Sequence, residues 1–177
     1  MPPPARYAER VLPAPNAFLM TSMLRDVIAS GTGTGARVLE RQDLAGKTGT
    51  TNDHRDAWFS GFNAEVVTTA WIGFDQPSPL GRGETGGRAA LPMWVDFMRE
   101  ALRGVAEKPL LAPEGVVTGF VNRETGWPTV KDDPEAMEEF FIEGAAAGER
   151  DDPGAEPGAS PAPAPPPPPD PIRDRLF

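Results

Sequence analysis

Two β-forming runs, Ala57 to Phe62 and Val66 to Phe74, stand three residues apart. Val, Thr, Ile, Phe and Trp fill them, side chains that suit a pleated, half-buried surface. Asn63-Ala64-Glu65 between them leaves room only for a tight reversal, so the pair is an antiparallel hairpin. Within the first run Ala57 and Phe59 point to one side, and Trp58, Ser60 and Phe62 to the other. A layer of other elements must cover one face of such a hairpin.

The flanks supply that layer. Upstream, Phe18, Leu19, Met20, Met23, Leu24, Val27 and Ile28 have helical spacing, with Asn16 as a candidate N-cap and Ser30-Gly31 as the stop. Thr32 to Gly35 reads as a glycine-rich loop, and Asp43 to Thr51 as a short strand with a close-approach position at Gly49. Downstream, residues 76–88 form a polar loop with four glycines. Pro92 stands where a first helical turn tolerates proline. Met93, Trp94, Phe97, Met98, Ala101 and Leu102 then mark an amphipathic helix that ends at Gly104. Val116 to Asn122 alternates as another strand, Glu124-Thr125-Gly126 reads as a turn, and Pro134 to Ile142 as a short acidic helix. The order helix, three strands, helix, strand is an α+β layer with antiparallel pairing.

Composition confines this domain to part of the chain. Of the 28 positions from Gly144 to Pro171, 14 are Pro or Gly, and such a stretch cannot bury enough apolar surface to offset its ordering entropy. Residues 132–157 carry a net charge of −9, equal to that of the whole 177-residue chain, so the rest is neutral overall. The expected division is a linker or domain remnant over 1–15, a folded unit over 16–131, and an acidic, Pro-rich disordered tail over 132–177. A neutral folded part lacks the basic face of a nucleic-acid-binding domain. The chain has no cysteine, which removes disulfides and thiolate metal sites. No cofactor or metal site is expected.

Several chemical signals dissolve on inspection. Gly46-Lys47-Thr48 ends like a phosphate-binding loop, but Arg41 stands where that motif needs its first glycine. Gly31, Gly33 and Ala36 loosely match a dinucleotide fingerprint, yet a helix precedes them where a strand is required. His54 is the only histidine, which excludes a triad and a multi-histidine metal site, and it reads as an exposed loop residue. Asp53, Asp56, Asp75 and Glu84 have no pairing pattern for acid–base work and read as partners in structural salt bridges. Lys47-Thr48-Gly49-Thr50-Thr51 survives. On a strand, Lys47 supplies a fixed cation and the hydroxyls of Thr48 and Thr50 can hold a carboxylate. Gly49 removes a side chain from the path of a substrate lying along the edge. A plain edge strand with a solvating lysine would have the same triplet.

The longer text separates these readings. Residues 43–53 (DLAGKTGTTND), Asp56-Ala57-Trp58-Phe59-Ser60-Gly61-Phe62 and Ala70-Trp71-Ile72-Gly73-Phe74-Asp75 closely resemble class A high-molecular-mass penicillin-binding proteins, most of all the 1A type. Leu19 to Leu24, Gly31-Thr32-Gly33, Glu84-Thr85-Gly86-Gly87 and Ala90-Leu91-Pro92-Met93-Trp94 extend the likeness in order, over about residues 10–145. The resemblance implies the C-terminal part of a penicillin-binding/β-lactamase-like transpeptidase fold. The family's enzyme cross-links peptidoglycan through a serine acyl-enzyme formed on D-Ala-D-Ala stem peptides, and β-lactams acylate the same serine. By resemblance, Lys47 would polarise the serine of a Ser-x-Asn motif, and Thr48 and Thr50 would bind the terminal carboxylate. The backbone N–H of Thr50 would be half of the oxyanion hole, and Gly49 would let the substrate backbone pair with the strand.

The departures are large. Residues three positions after Ser22, Ser30, Ser60, Ser78 and Ser160 are Arg25, Gly33, Asn63, Gly81 and Pro163, so the chain contains no Ser-x-x-Lys, and it contains no Ser-x-Asn. The family's membrane anchor and glycosyltransferase domain are absent too, and nothing in the chain directs export, although the family works on the periplasmic face of the inner membrane. The expectation is a C-terminal piece of such an enzyme, with Met1 an internal or artefactual start. It should be inactive alone, with apolar sheet faces and strand edges left exposed. A non-catalytic binding module for D-Ala-terminated peptides is the alternative. The Pro-rich run is a candidate ligand for a cell-wall synthesis partner.

Overall fold

The computed structural model describes residues 10–144. The Pro-rich run, the part of the expected tail from residue 145 onward and residues 1–9 lie outside the described residues.

Helix α1 spans Ala14–Ala29. It starts two residues before Asn16, which does not cap it. Pro15 occupies the first turn, where its missing N–H and fixed φ cost nothing. Ser30 and Gly31 close the helix, their N–H groups donating to Asp26 O and Val27 O. A 3-10 turn over Thr34–Leu39 then leads to strand β1, Ala45–Thr50. Strands β2, Asp56–Phe62, and β3, Val67–Gly73, form the expected hairpin, and the sheet order is β1-β2-β3, all antiparallel. The register sets Gly46 opposite Gly61, Thr48 opposite Phe59 and Gly49 opposite Trp58.

The inner face of this sheet carries Ala57, Phe59 and Ala70, all buried. Helix α2, Leu91–Ala101, packs across it, preceded by a π turn over Gly86–Ala90. Trp94 meets Phe59 edge-on, with ring centroids 4.9 Å apart, and its indole N–H donates to Thr68 O at 3.2 Å. The two facing glycines make this contact possible. A Cβ at Gly61 would stand 2.6 Å from Trp94 Cζ2, and one at Gly46 would stand 2.8 Å from Phe59 Cζ. The helix face is rotated from the expected one. Leu91, Trp94, Val95, Met98 and Leu102 are buried, whereas Met93 and Phe97 are half exposed. The apolar stripe is wider than the surface it covers, and contact with the sheet selects which part is buried.

The segment 134–142, expected as a helix, is a strand. β4, Val116–Asn122, pairs antiparallel with β5, Ala136–Ile142, as a separate two-stranded sheet. Met and Glu favour helix, but Phe140, Phe141 and Ile142 favour strand, and a partner at matched register settles the contest. Phe140 packs edge-on against Phe18 of α1, with centroids 4.9 Å apart. The boundary expected after residue 131 therefore falls inside a hairpin that packs on α1.

Because the stripe is shifted, Trp94→Ala should cost roughly 3–5 kcal/mol in urea unfolding, while Phe97→Ala should cost less than about 1 kcal/mol. Equal losses at the two positions would contradict the packing described.

Candidate functional site

The strand that carries Lys47 to Thr50 is anchored at its base by a buried carboxylate. Asp43 accepts two bonds from the Arg41 guanidinium, at 2.9 and 2.7 Å, one from Asn63 Nδ2 at 3.2 Å and one from Lys108 N–H at 3.4 Å. Its side chain is only 3% exposed. Arg41 also donates to Val105 O at 2.8 Å, and Asn63 Oδ1 accepts the N–H groups of Glu65 and Val66 to shape the β2–β3 turn. Burial pushes the Asp43 carboxyl upward, but the hydrogen bonds from Arg41, Asn63 and Lys108 outweigh it and hold the group below its ordinary value.

β1 lies at the edge of its sheet. Thr51 N–H donates to Asp56 O at 3.1 Å, so antiparallel alternation turns the N–H and C=O of Thr48 and Thr50 away from β2, off the free edge. Lys47 is exposed, and by the pleat its Cβ lies on the outer face. Its side chain curls round the edge to place Nζ 3.1 Å from Thr48 O and 3.5 Å from Thr48 Oγ1. Thr48 and Thr50 project from the inner face into an open cavity of about 360 Å³, lined also by Thr32, Thr85, Gly87 and Arg88. Thr32 Oγ1 and Thr48 Oγ1 are 2.7 Å apart, and Thr50 Oγ1 accepts the Gly86 N–H at 3.0 Å.

Gly86 is docked on the strand itself. A Cβ there would be 2.5 Å from Gly49 O and closer still to Trp58 O. Only glycine permits the approach that sets the π turn over Thr48 and Thr50. At Gly49 a Cβ would meet Trp58 Cβ at 3.1 Å, so this glycine makes room for the tryptophan on the outer face. A larger cavity of about 510 Å³ lies between α1 and Arg41-Gln42, and none of its lining residues belongs to the triplet.

The structure brings Lys47, Thr48, Gly49 and Thr50 together on one edge and adds Thr32, Thr85, Gly86 and Arg88. In the sequence Thr32, Thr85 and Gly86 appear in glycine-rich loops and in blocks that extend the family likeness, Arg88 appears only in a glycine-rich loop, and nothing in their spacing ties any of them to β1. Among the carboxylates read as salt-bridge partners, Asp53 pairs with Arg55 at 3.5 Å. Asp56 instead accepts the Trp71 indole N–H at 2.9 Å, and Asp75 and Glu84 form no ion pair among the described residues. His54 is half-buried rather than exposed. Its backbone is left-handed at φ 52°, its C=O accepts the Leu80 N–H at 2.8 Å, and its Nδ1 is buried without a hydrogen-bond partner.

Two outcomes test this geometry. Gly86→Ala should lower stability by roughly 1–3 kcal/mol and shift the amide resonances of Thr48 to Thr50, because backbone atoms block the new methyl. An unchanged spectrum would contradict the docking. The stability contributed by Asp43 is complete above the ordinary carboxylate pKa and is lost as pH falls through the depressed folded value. Unfolding free energies measured from pH 7 down to about 2 should fall accordingly, and Asp43→Asn should remove that part of the slope while costing about 3 kcal/mol at pH 7.

No family model matches the chain. It is 49% identical over 134 residues to penicillin-binding protein 1A of Pseudomonas aeruginosa, which is 76% of this chain and 16% of that protein. It is 54% identical over 103 residues to penicillin-binding protein 1A of Neisseria flavescens, covering 58% of this chain and 13% of the relative. The chain thus spans about one-sixth or less of the length of these relatives. The crystal structure of penicillin-binding protein 1A from Haemophilus influenzae superposes with a TM-score of 0.74 at 36% identity, over 81% of this chain and 22% of that one. By its sequence and by its fold, the chain belongs to the class A penicillin-binding proteins of the 1A type.

Proposed function

We propose that this chain supplies the substrate-holding edge of a peptidoglycan D,D-transpeptidase, and that the nucleophilic serine comes from outside its 177 residues. The observation that carries the reading is the geometry at Thr50. Its N–H points off a free strand edge while its hydroxyl and that of Thr48 face one cavity. A peptide ending in D-Ala-D-Ala laid along this edge would place its scissile carbonyl at the Thr50 N–H and its terminal carboxylate at the hydroxyls. When a serine Oγ attacks that carbonyl, negative charge develops on the carbonyl oxygen, and the Thr50 N–H stabilises it without reorganising. The terminal D-Ala then departs with its amine protonated. An amine from a second stem peptide attacks the ester, restores the serine and completes the cross-link. Lys47, held beside the edge, keeps the local field positive for an anionic substrate and for the carboxylate of a β-lactam. The whole enzyme, by this reading, is a bifunctional glycosyltransferase–transpeptidase anchored in the inner membrane and acting on its periplasmic face. Among the described residues no helix is long and apolar enough to cross a membrane.

The absence of Ser-x-x-Lys favours one further reading, a module that holds D-Ala-terminated peptides without cleaving them. The two readings differ in what the chain does when a nucleophile is restored. In a chimera, residues 10–144 replace the matching stretch of the Pseudomonas aeruginosa penicillin-binding protein 1A. That chimera should label with fluorescent penicillin, and Thr50→Val should slow acylation roughly ten- to a hundredfold. A penicillin methyl ester should react equally with both proteins. The pure 177-residue chain should take no covalent label. Saturable labelling of the pure chain, or a folded chimera that does not label, would overturn the proposal.

A further inference from the structure

Arg88 lines the same cavity as Thr48 and Thr50, and neither the sequence pattern nor the family motif assigns it a role. We infer that Arg88 is the cation that holds the substrate's terminal carboxylate, completing a three-point site with the hydroxyls of Thr50 and of the Thr32–Thr48 pair. The inference rests on the transpeptidase reading and extends it to one more binding residue.

The donor inventory of the cavity carries the argument. No Asp or Glu lines it. Arg88 makes no ion pair and no side-chain hydrogen bond among the described residues, so its donors are uncommitted. Thr50 Oγ1 already accepts the Gly86 N–H, which leaves its own proton free to donate outward. Thr32 and Thr48 share a single hydrogen bond, so one of the two donates to the other and the remaining hydroxyl proton is free. Lys47 Nζ stands 3.5 Å from Thr48 Oγ1 as a donor, which favours Thr48 as acceptor from Lys47 and donor to Thr32. With the hydroxyl of Thr85, the cavity thus offers three hydroxyl protons and a guanidinium fork, with no acidic group to neutralise them. A carboxylate has two oxygens with about four lone pairs and is the small group that satisfies such a set. Lys47 does not duplicate Arg88, because its Nζ is drawn to the Thr48 carbonyl on the strand edge.

Position supports the same role. Arg88 follows Gly86 and Gly87, whose contacts with Gly49 and with Thr32 O fix the turn against β1. Its Nη1 lies where a Cβ at Gly83 would be 3.1 Å away, so a left-handed glycine leaves space for the guanidinium. The cation is therefore carried by a segment docked on the strand that carries the hydroxyls.

The test uses the full 177-residue chain and two probes, N-acetyl-D-Ala-D-Ala and its C-terminal amide, titrated by two-dimensional NMR. The signals followed are the amides of Thr48, Thr50, Gly86 and Gly87 and the Arg88 Nε–H. The acid should bind more tightly than the amide and shift the Arg88 signal. Arg88→Gln should weaken acid binding roughly five- to tenfold while leaving the amide unaffected, and Arg88→Lys should retain part of the preference. Arg88 is exposed, and amide dispersion will show whether each variant keeps the fold. If Arg88→Gln keeps the full preference for acid while Thr50→Val abolishes it, the Arg88 inference falls and the transpeptidase reading stands. If the wild-type chain does not distinguish acid from amide, both fall.

Discussion

A single buried carboxylate organises the part of this molecule that carries the candidate site. Asp43 receives hydrogen bonds from Arg41 on its own strand approach, from Asn63 in the β2–β3 turn and from Lys108 beyond α2. Those three segments enclose the base of the sheet, and β1 leaves it in one register only. A slip of one residue would send Thr48 and Thr50 to the outer face and Lys47 and Gly49 inward. With only 3% of the side chain exposed, the charge has no solvent to fall back on, so the network is either complete or costly. Arg41, which excludes a phosphate loop in the sequence, has its structural purpose here.

Glycines do the complementary work of bringing layers close. Gly46 and Gly61 face each other across β1 and β2 and form a flat floor on which Phe59 and Trp94 interlock. Gly86 then lies directly on the Gly49–Trp58 rung, which puts the π turn and Arg88 beside the threonine hydroxyls. The cavity exists because backbones approach where side chains would hold them apart. Its hydrogen-bonding groups come from the residues left to line it, four threonines and an arginine beside Gly87.

The outer face of the sheet has a different character. Trp58 and Trp71 sit opposite each other with ring centroids 5.9 Å apart, and Trp58, Trp71 and Val67 are all exposed. These residues follow the alternation of β2 and β3, so the hairpin is apolar on both sides. A sheet that is apolar on both faces suits a two-sided burial, and α1 and α2 cover only the inner one.

The sequence by itself determined the local elements whose causes are local. The hairpin from Ala57 to Gly73, the strand through Lys47 to Thr50 and the α+β class follow from alternation, turn length and β-branched content. It also determined the family, because ordered blocks of residues carry more information than one triplet. It could not determine the outcome where neighbours in space decide. Pro134 to Ile142 has a mixed propensity, and only pairing with Val116–Asn122 makes it a strand. The wide apolar stripe of α2 fits several rotations, and only the Phe59 floor chooses Leu91 and Val95 over Met93 and Phe97. Thr32, Gly86 and Arg88 are separated from Lys47 by up to 41 residues of chain, and no spacing rule connects them. Backbone docking at a glycine joins them, and that contact exists only once the tertiary structure has formed.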